Sequence, residues 1–223
     1  MIFEKRKNRG IESFSFCLAF IFLLIAVKLN ADWLVSLDSM IQNITTIMTD
    51  SFLAKIFQFM AVLGSPGVVV GISLLIAIIF LVKKEDVTAL WITFTILGGD
   101  MIALIFKEIV RRPRPLHVIG GESGFSFPSG HVFGTTILVL IIIYIVVPRI
   151  KGYENRFVLT NIMWLWLLLM AISRVCLRAH FPSDVVGSIL LATGWWKFAQ
   201  ILYLKFYGLA KDTIDRIRLM LAK

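Results

Sequence analysis

Cysteine is nearly absent from this chain. Its 223 residues include two, Cys17 and Cys176, which are far apart and not in a C-x-x-C pair. That excludes a disulfide framework and a thiolate metal site. Acidic residues are also sparse: 14 Asp and Glu stand against 23 Lys and Arg, for a net charge of +9. Glu108, Glu122 and Asp184 stand dispersed rather than clustered, so no metal and no cofactor is expected. No internal repeat and no low-complexity segment is visible. No soluble basic domain is present either, which removes nucleic acid from the expected partners. A cleavable leader is not expected, because the apolar run from Phe14 lacks a small-residue cleavage site and reads as a first span.

What fills the chain is apolar. Hydrophobic residues make up 58% of it and the mean hydropathy is +0.87, whereas a soluble domain is nearer about 45–50% apolar. Six runs, at 13–29, 66–82, 87–107, 131–148, 159–175 and 185–204, have the length of roughly 17–25 residues that crosses the hydrocarbon core. The expected fold is an all-α bundle of six spans, forming one domain over residues 1–223. Between spans one and two, Trp33, Leu37, Met40, Ile41, Ile44 and Met48, then Phe52, Ile56, Phe57 and Met60, recur at helical spacing with polar residues between them. This pattern predicts helices on or dipping into the interface. The tail from Lys205 is basic and amphipathic and is expected to rest on the opposite surface.

Positive charge orients the spans. Lys5, Arg6, Lys7 and Arg9, then Lys83 and Lys84, then Arg149, Lys151 and Arg156, and finally Lys205, Lys211, Arg216, Arg218 and Lys223 all fall on one side. That side is expected to be cytoplasmic, with both termini inside a plasma-membrane protein. Lys107, Arg111, Arg112, Arg114, Arg174 and Arg178 fall in two outward segments, against the orienting bias. Cations kept there point to an anion to be held.

Those outward segments contain three patterns: KEIVRRPRP from Lys107 to Pro115, PSGH from Pro128 to His131, and SRVCLRAHFPSD from Ser173 to Asp184. In this order they resemble the three-part signature of the type-2 phosphatidic acid phosphatase superfamily: K-x6-R-P, P-S-G-H and S-R-x5-H-x3-D. The resemblance covers residues 87–204. It implies a membrane lipid phosphatase acting at the outer leaflet on an isoprenoid diphosphate, phosphatidylglycerol phosphate or phosphatidic acid.

The residue chemistry leads to the same place. A phosphoryl group in transit spreads charge over its oxygens, so catalysis is positioning and electrostatics. Lys107, Arg114 and Arg174 would form the cationic cradle. Ser129 and Gly130 open a helix whose free N–H groups and dipole favour an anion. His180 is the expected nucleophile, forming a phosphohistidine. Asp184 would accept the other ring N–H and set the tautomer. His131 would protonate the departing oxygen.

Arg111, Arg112 and Arg178 fall between signature positions and read as contacts to anionic lipid. His117 reads as a loop residue, Pro115 and Pro128 as loop geometry, and Cys176 has no assigned chemistry. Asp100, seven residues before Lys107 and about 10 Å deeper, is expected to have a structural partner in the bundle. The same motifs would serve a lipid phosphotransferase. A non-catalytic anionic-lipid binder or flippase is the reading from another class, and it predicts no phosphate release. Oligomeric state is left open.

Overall fold

The computed structural model describes residues 2–3, 8–45 and 52–221. Lys5, Arg6, Lys7, Met48 and Lys223, used above for charge or spacing, lie outside the described residues. The elements are α1 (Arg9–Lys28), α2 (Asp32–Thr45), α3 (Phe52–Leu63), α4 (Pro66–Val82), α5 (Asp86–Val110), α6 (Gly130–Ile141), α7 (Tyr153–Cys176) and α8 (Pro182–Leu221). A π-helical turn over Ile142–Val146 and a 3-10 turn over Val147–Arg149 extend α6. No strand occurs among the described residues.

Five of these helices are long and apolar enough to cross a membrane, and α3 with α4, bent by 45° at their junction, can supply a sixth span. Pro66 explains the junction. Its fixed φ and missing N–H suit the first position of a helix and end whatever precedes it. α4 alone has 17 residues, about 26 Å at 1.5 Å per residue, slightly short of the roughly 30 Å core.

α6 is the central helix. Two-thirds of its membrane window is buried, against 28% in α1 and α7. α8 runs along α1 and packs on α5 and α6. Indole N–H groups tie α5 to α8, Trp91 donating to the Ala199 carbonyl at 2.9 Å and Trp195 to that of Thr95 at 2.8 Å. In hydrocarbon such groups have no water to turn to.

One expectation changes and another gains detail. The tail from Lys205 is part of the last helix, because α8 continues without a break to Leu221. Arg218 pairs with Asp86 at 2.6 Å and anchors its far end to the start of α5. α2 does have the expected helical periodicity, but its polar side faces inward. Leu34, Asp38, Gln42 and Thr45 are buried, while Trp33, Leu37, Met40 and Ile44 are exposed. A polar stripe turned inward needs polar partners, and it finds them at the site described next.

Candidate active site

The site sits at the end of the bundle where α5 and α7 finish and α6 and α8 begin. All three sequence motifs meet there, together with the inward face of α2.

His180 lies in the turn between α7 and α8 and is 1% exposed. Its backbone carbonyl accepts from Gln42 Nε2 at 2.9 Å, so α2 holds the turn from outside. The ring Nδ1 lies 2.8 Å from the Ser126 carbonyl. A carbonyl can only accept, so Nδ1 carries the proton. Nε2 faces Arg114 Nη1 at 3.3 Å, and a guanidinium can only donate, so Nε2 presents its lone pair. Burial pushes the His180 pKa down, with the nearby Asp184 carboxylate opposing it.

Asp184 was expected to be the partner of the second ring nitrogen. Its Oδ2 is 3.6 Å from Nδ1, farther than the Ser126 carbonyl. The reason is local. Asp184 stands in the first turn of α8, and Oδ2 reaches back to accept from the Phe181 N–H at 2.9 Å, as an acidic residue at that position does. Oδ1 accepts from Arg112 Nη1 at 2.7 Å. Arg112, read from sequence as a lipid contact, is therefore inside the site. Its Nη1 also reaches Ser183 Oγ at 2.7 Å, its Nη2 pairs with Asp38 at 2.7 Å, and its guanidinium lies 4.0 Å from the Phe181 ring centre. Asp38 closes the network by accepting from the Ser183 N–H at 3.0 Å and from its hydroxyl at 2.5 Å.

Glu122 gives the other correction. Expected to stand apart, it occupies the centre of the basic motifs. Its Oε1 pairs with Arg174 Nη1 and its Oε2 with Arg114 Nη1 at 2.9 Å. His131 Nε2 is 3.8 Å from Oε1, and His180 Nε2 is 3.9 Å from Oε2. Burial opposes ionisation of Glu122, but Arg174, the two histidines and Arg114 outweigh it and hold its pKa below the usual carboxylate value. In this position the carboxylate stands in for an oxyanion, with one imidazole near each oxygen.

The remaining expected residues surround this centre. Arg174 is 1% exposed, and its Nε has no hydrogen-bond partner among the described residues. Arg114 also donates to the carbonyls of Ala179 (2.8 Å) and Ser123 (3.0 Å). Lys107 Nζ donates to the Phe125 carbonyl at 2.8 Å, holding the loop that supplies Ser126. Ser129 caps α6, but its own N–H is already taken by Ser188 Oγ at 2.7 Å. The free N–H groups of that helix start therefore begin at Gly130. Arg111 pairs with Glu108 on the surface, Arg178 Nε donates to the Leu116 carbonyl at 2.8 Å, and His117 lies in the loop with positive φ. No hydrogen bond or ion pair to the Asp100 side chain, which projects from the middle of α5, occurs among the described residues, so its expected partner is not found.

Glu122, His131 and His180 offer ligand atoms within 4.8 Å of one another. A divalent ion there would have to displace two guanidiniums from the carboxylate and would then face both. That electrostatic balance favours an anion over a cation.

The fold and the site define a multi-span helical membrane protein with a buried cationic oxyanion pocket faced by a basic imidazole nitrogen. Residues 88–207, more than half the chain, match the PAP2 superfamily. The chain belongs to that superfamily and is a membrane phosphatase. It is 26% identical to phosphatidylglycerophosphatase B of Bacillus subtilis over 76% of this chain and 85% of the relative. It is 38% identical to decaprenylphosphoryl-5-phosphoribose phosphatase of Mycobacterium tuberculosis, over 41% of this chain and 49% of that one. The fold also matches the crystal structure of a transmembrane PAP2-type phosphatidylglycerolphosphate phosphatase from Bacillus subtilis. There the TM-score is 0.77 at 23% identity, over 87% of this chain and 96% of that one.

Proposed function

We propose that this protein is a single-domain phosphatase that removes the terminal phosphate of a phospholipid or isoprenoid diphosphate through a phosphohistidine on His180. The observation that carries the reading is the Glu122 carboxylate. It marks a place where an oxyanion is held by Arg114 and Arg174, with His180 Nε2 3.9 Å from one oxygen and His131 Nε2 3.8 Å from the other. In the first step His180 Nε2 attacks phosphorus and the bond to the lipid oxygen breaks. His131 supplies the proton that the departing oxygen takes up. His131, now neutral, takes a proton from the water that attacks the phosphohistidine, so phosphate is released, His180 returns as the free imidazole and His131 regains its proton. Lys107 and Arg112 act at one remove, through the Phe125 carbonyl and through Asp184. No step calls for a metal.

The charge distribution supports a topology with both termini in the cytoplasm and the site at the outer face of the plasma membrane. A cysteine introduced at residues 120–124 should then label from outside intact cells, and one near Lys151 should not.

The test of function is phosphate release by purified protein from phosphatidic acid, phosphatidylglycerol phosphate and an isoprenoid diphosphate, with and without EDTA. Release that survives chelation and disappears in His180→Ala is the expected result. Undiminished release by that variant would remove the phosphohistidine, and abolition by EDTA would require a metal-dependent mechanism. Phosphate appearing on an acceptor other than water would make the protein a phosphotransferase.

A further inference from the structure

Glu122 occupies the pocket that the substrate phosphate must enter, and nothing in the reaction above uses it. A carboxylate and a phosphoryl group cannot share Arg114 Nη1 and Arg174 Nη1, so a substrate has to displace it. Resting on the reading of this pocket as the phosphoryl site, we propose that Glu122 is a specificity-determining charge filter. It yields to the dianionic phosphomonoester or terminal diphosphate of a lipid and not to the monoanionic phosphodiester of ordinary membrane lipids.

Three observations support this. The first is a count of oxygens. The carboxylate presents two, and both are paired with guanidiniums, yet Arg174 Nε stays without a partner on a side chain that is 1% exposed. A buried guanidinium N–H left unpaired is costly, so the cradle has room for a third acceptor oxygen. A phosphomonoester has three terminal oxygens and a phosphodiester has two. The diester matches the resident carboxylate in oxygen count and in charge and gains nothing by replacing it. The monoester brings one more oxygen and one more negative charge to two guanidiniums.

The second observation is the attachment of Glu122. It stands between Gly120, Gly121 and Gly124, all at positive φ, and side-chain space at all three is open. Such residues change conformation at little steric cost, which lets the carboxylate withdraw without disturbing the helices.

The third is the open side of the pocket itself, a cavity of about 330 Å³ lined by Glu122, Arg174 and His131 and continuing past Gln58, Ala61 and Ser65. It offers a place for the withdrawn side chain beside the α3–α4 junction. Glu122 remains ionised in the resting site because its pKa is held down, so the filter stays charged at neutral pH. A filter of this kind answers a real competition, because phosphodiester headgroups vastly outnumber phosphomonoesters in any membrane surface.

The test compares wild type with Glu122→Gln in mixed micelles of phosphatidic acid, nonionic detergent and rising phosphatidylglycerol at constant surface dilution. Inorganic phosphate and vanadate affinities are measured on both proteins by calorimetry. Wild type should ignore phosphatidylglycerol and the variant should be inhibited by it. Phosphate and vanadate should bind the variant on the order of tenfold or more tightly, the value of one charge-assisted pair removed from the competition. KM for phosphatidic acid should fall as well.

Equal phosphatidylglycerol inhibition and equal phosphate affinity in both proteins would overturn the proposal. Weaker phosphate binding by the variant would also overturn it, since it would make Glu122 a structural support of the cradle. Glu122→Ala repeats the measurement without the amide, and a melting curve for each variant shows that the bundle is intact. Absence of any lipid phosphate turnover in wild type would instead remove the functional reading, and the calorimetric comparison would still decide the competition.

Discussion

Arg112 holds Asp184 on the side away from His180. Its Nη1 donates to Asp184 Oδ1 at 2.7 Å, while Oδ2 lies 3.6 Å from His180 Nδ1. The second arm of the same guanidinium is fixed on Asp38 at 2.7 Å, so α2 reaches the His180 imidazole through two buried carboxylates and one planar cation.

Removing that cation leaves two buried carboxylates facing each other. Breaking one partner of a buried pair typically costs about 3–5 kcal/mol, so Arg112→Ala should lower the melting temperature strongly. Arg112→Lys keeps the charge but cannot span two acids with a rigid fork. It should lose roughly tenfold or more in kcat with KM little changed, because it disturbs Asp184 and not the phosphate cradle. Adding Asp38→Asn to Arg112→Ala should recover part of the lost stability, as melting curves of the single and double variants will show.

His131→Ala should separate substrate classes. Expelling an alkoxide from a phosphomonoester lipid needs a proton, and general acid catalysis is worth about 10²–10⁴-fold. Expelling a phosphate monoester from an isoprenoid diphosphate needs it much less. Measured as kcat/KM in one detergent, phosphatidic acid should suffer a loss of that size and the diphosphate a much smaller one. Equal losses would move His131 from proton donor to phosphate binding.

The pH profile should reflect the burial of His180. Its pKa is lowered in the folded protein, so Nε2 keeps its lone pair at pH values where a free histidine, titrating near about 6.5, is half protonated. The acid limb of the profile is then set by the lowered value and lies below that of a free histidine. Asp184 opposes that lowering, so Asp184→Asn should carry the acid limb of kcat/KM still further down. A limb that moves up in the variant, or one that follows the second pKa of each substrate used, would contradict the assignment.

Gly187 is the place where one methyl group should matter. A Cβ there would lie 2.6 Å from the Phe127 ring, which is fully buried and stacked on Phe20 at 5.7 Å between ring centres. Phe127 precedes Pro128 and Ser129 at the head of α6. Gly187→Ala should therefore cost about 1–3 kcal/mol of stability by overpacking and reduce turnover by displacing the α6 start. A melting curve and kcat together check it, whereas Gly67→Ala, with open space at its Cβ, should change neither.

Much of this protein was legible in its sequence because hydrocarbon imposes one-dimensional rules. A helix must be apolar and about 20 residues long to cross, so α4 over Pro66–Val82 was read at its observed bounds. The motifs were legible for a related reason: charge kept at a membrane end needs a partner, and Lys107, Arg114, Arg174, His131 and His180 do gather there. What the sequence could not decide were relations between elements that carry no shared pattern. α2 looked like an interfacial helix because its periodicity marks two faces without saying which turns inward. Only the packed bundle shows Asp38 and Gln42 buried against the His180 turn. Glu122 looked dispersed because it is eight residues from Arg114 but 52 from Arg174 and 58 from His180 in the chain, and loop closure alone sets it between them. Ser126 has a carbonyl like every other residue, and its role as the partner of His180 Nδ1 comes from the path of the loop held by Lys107.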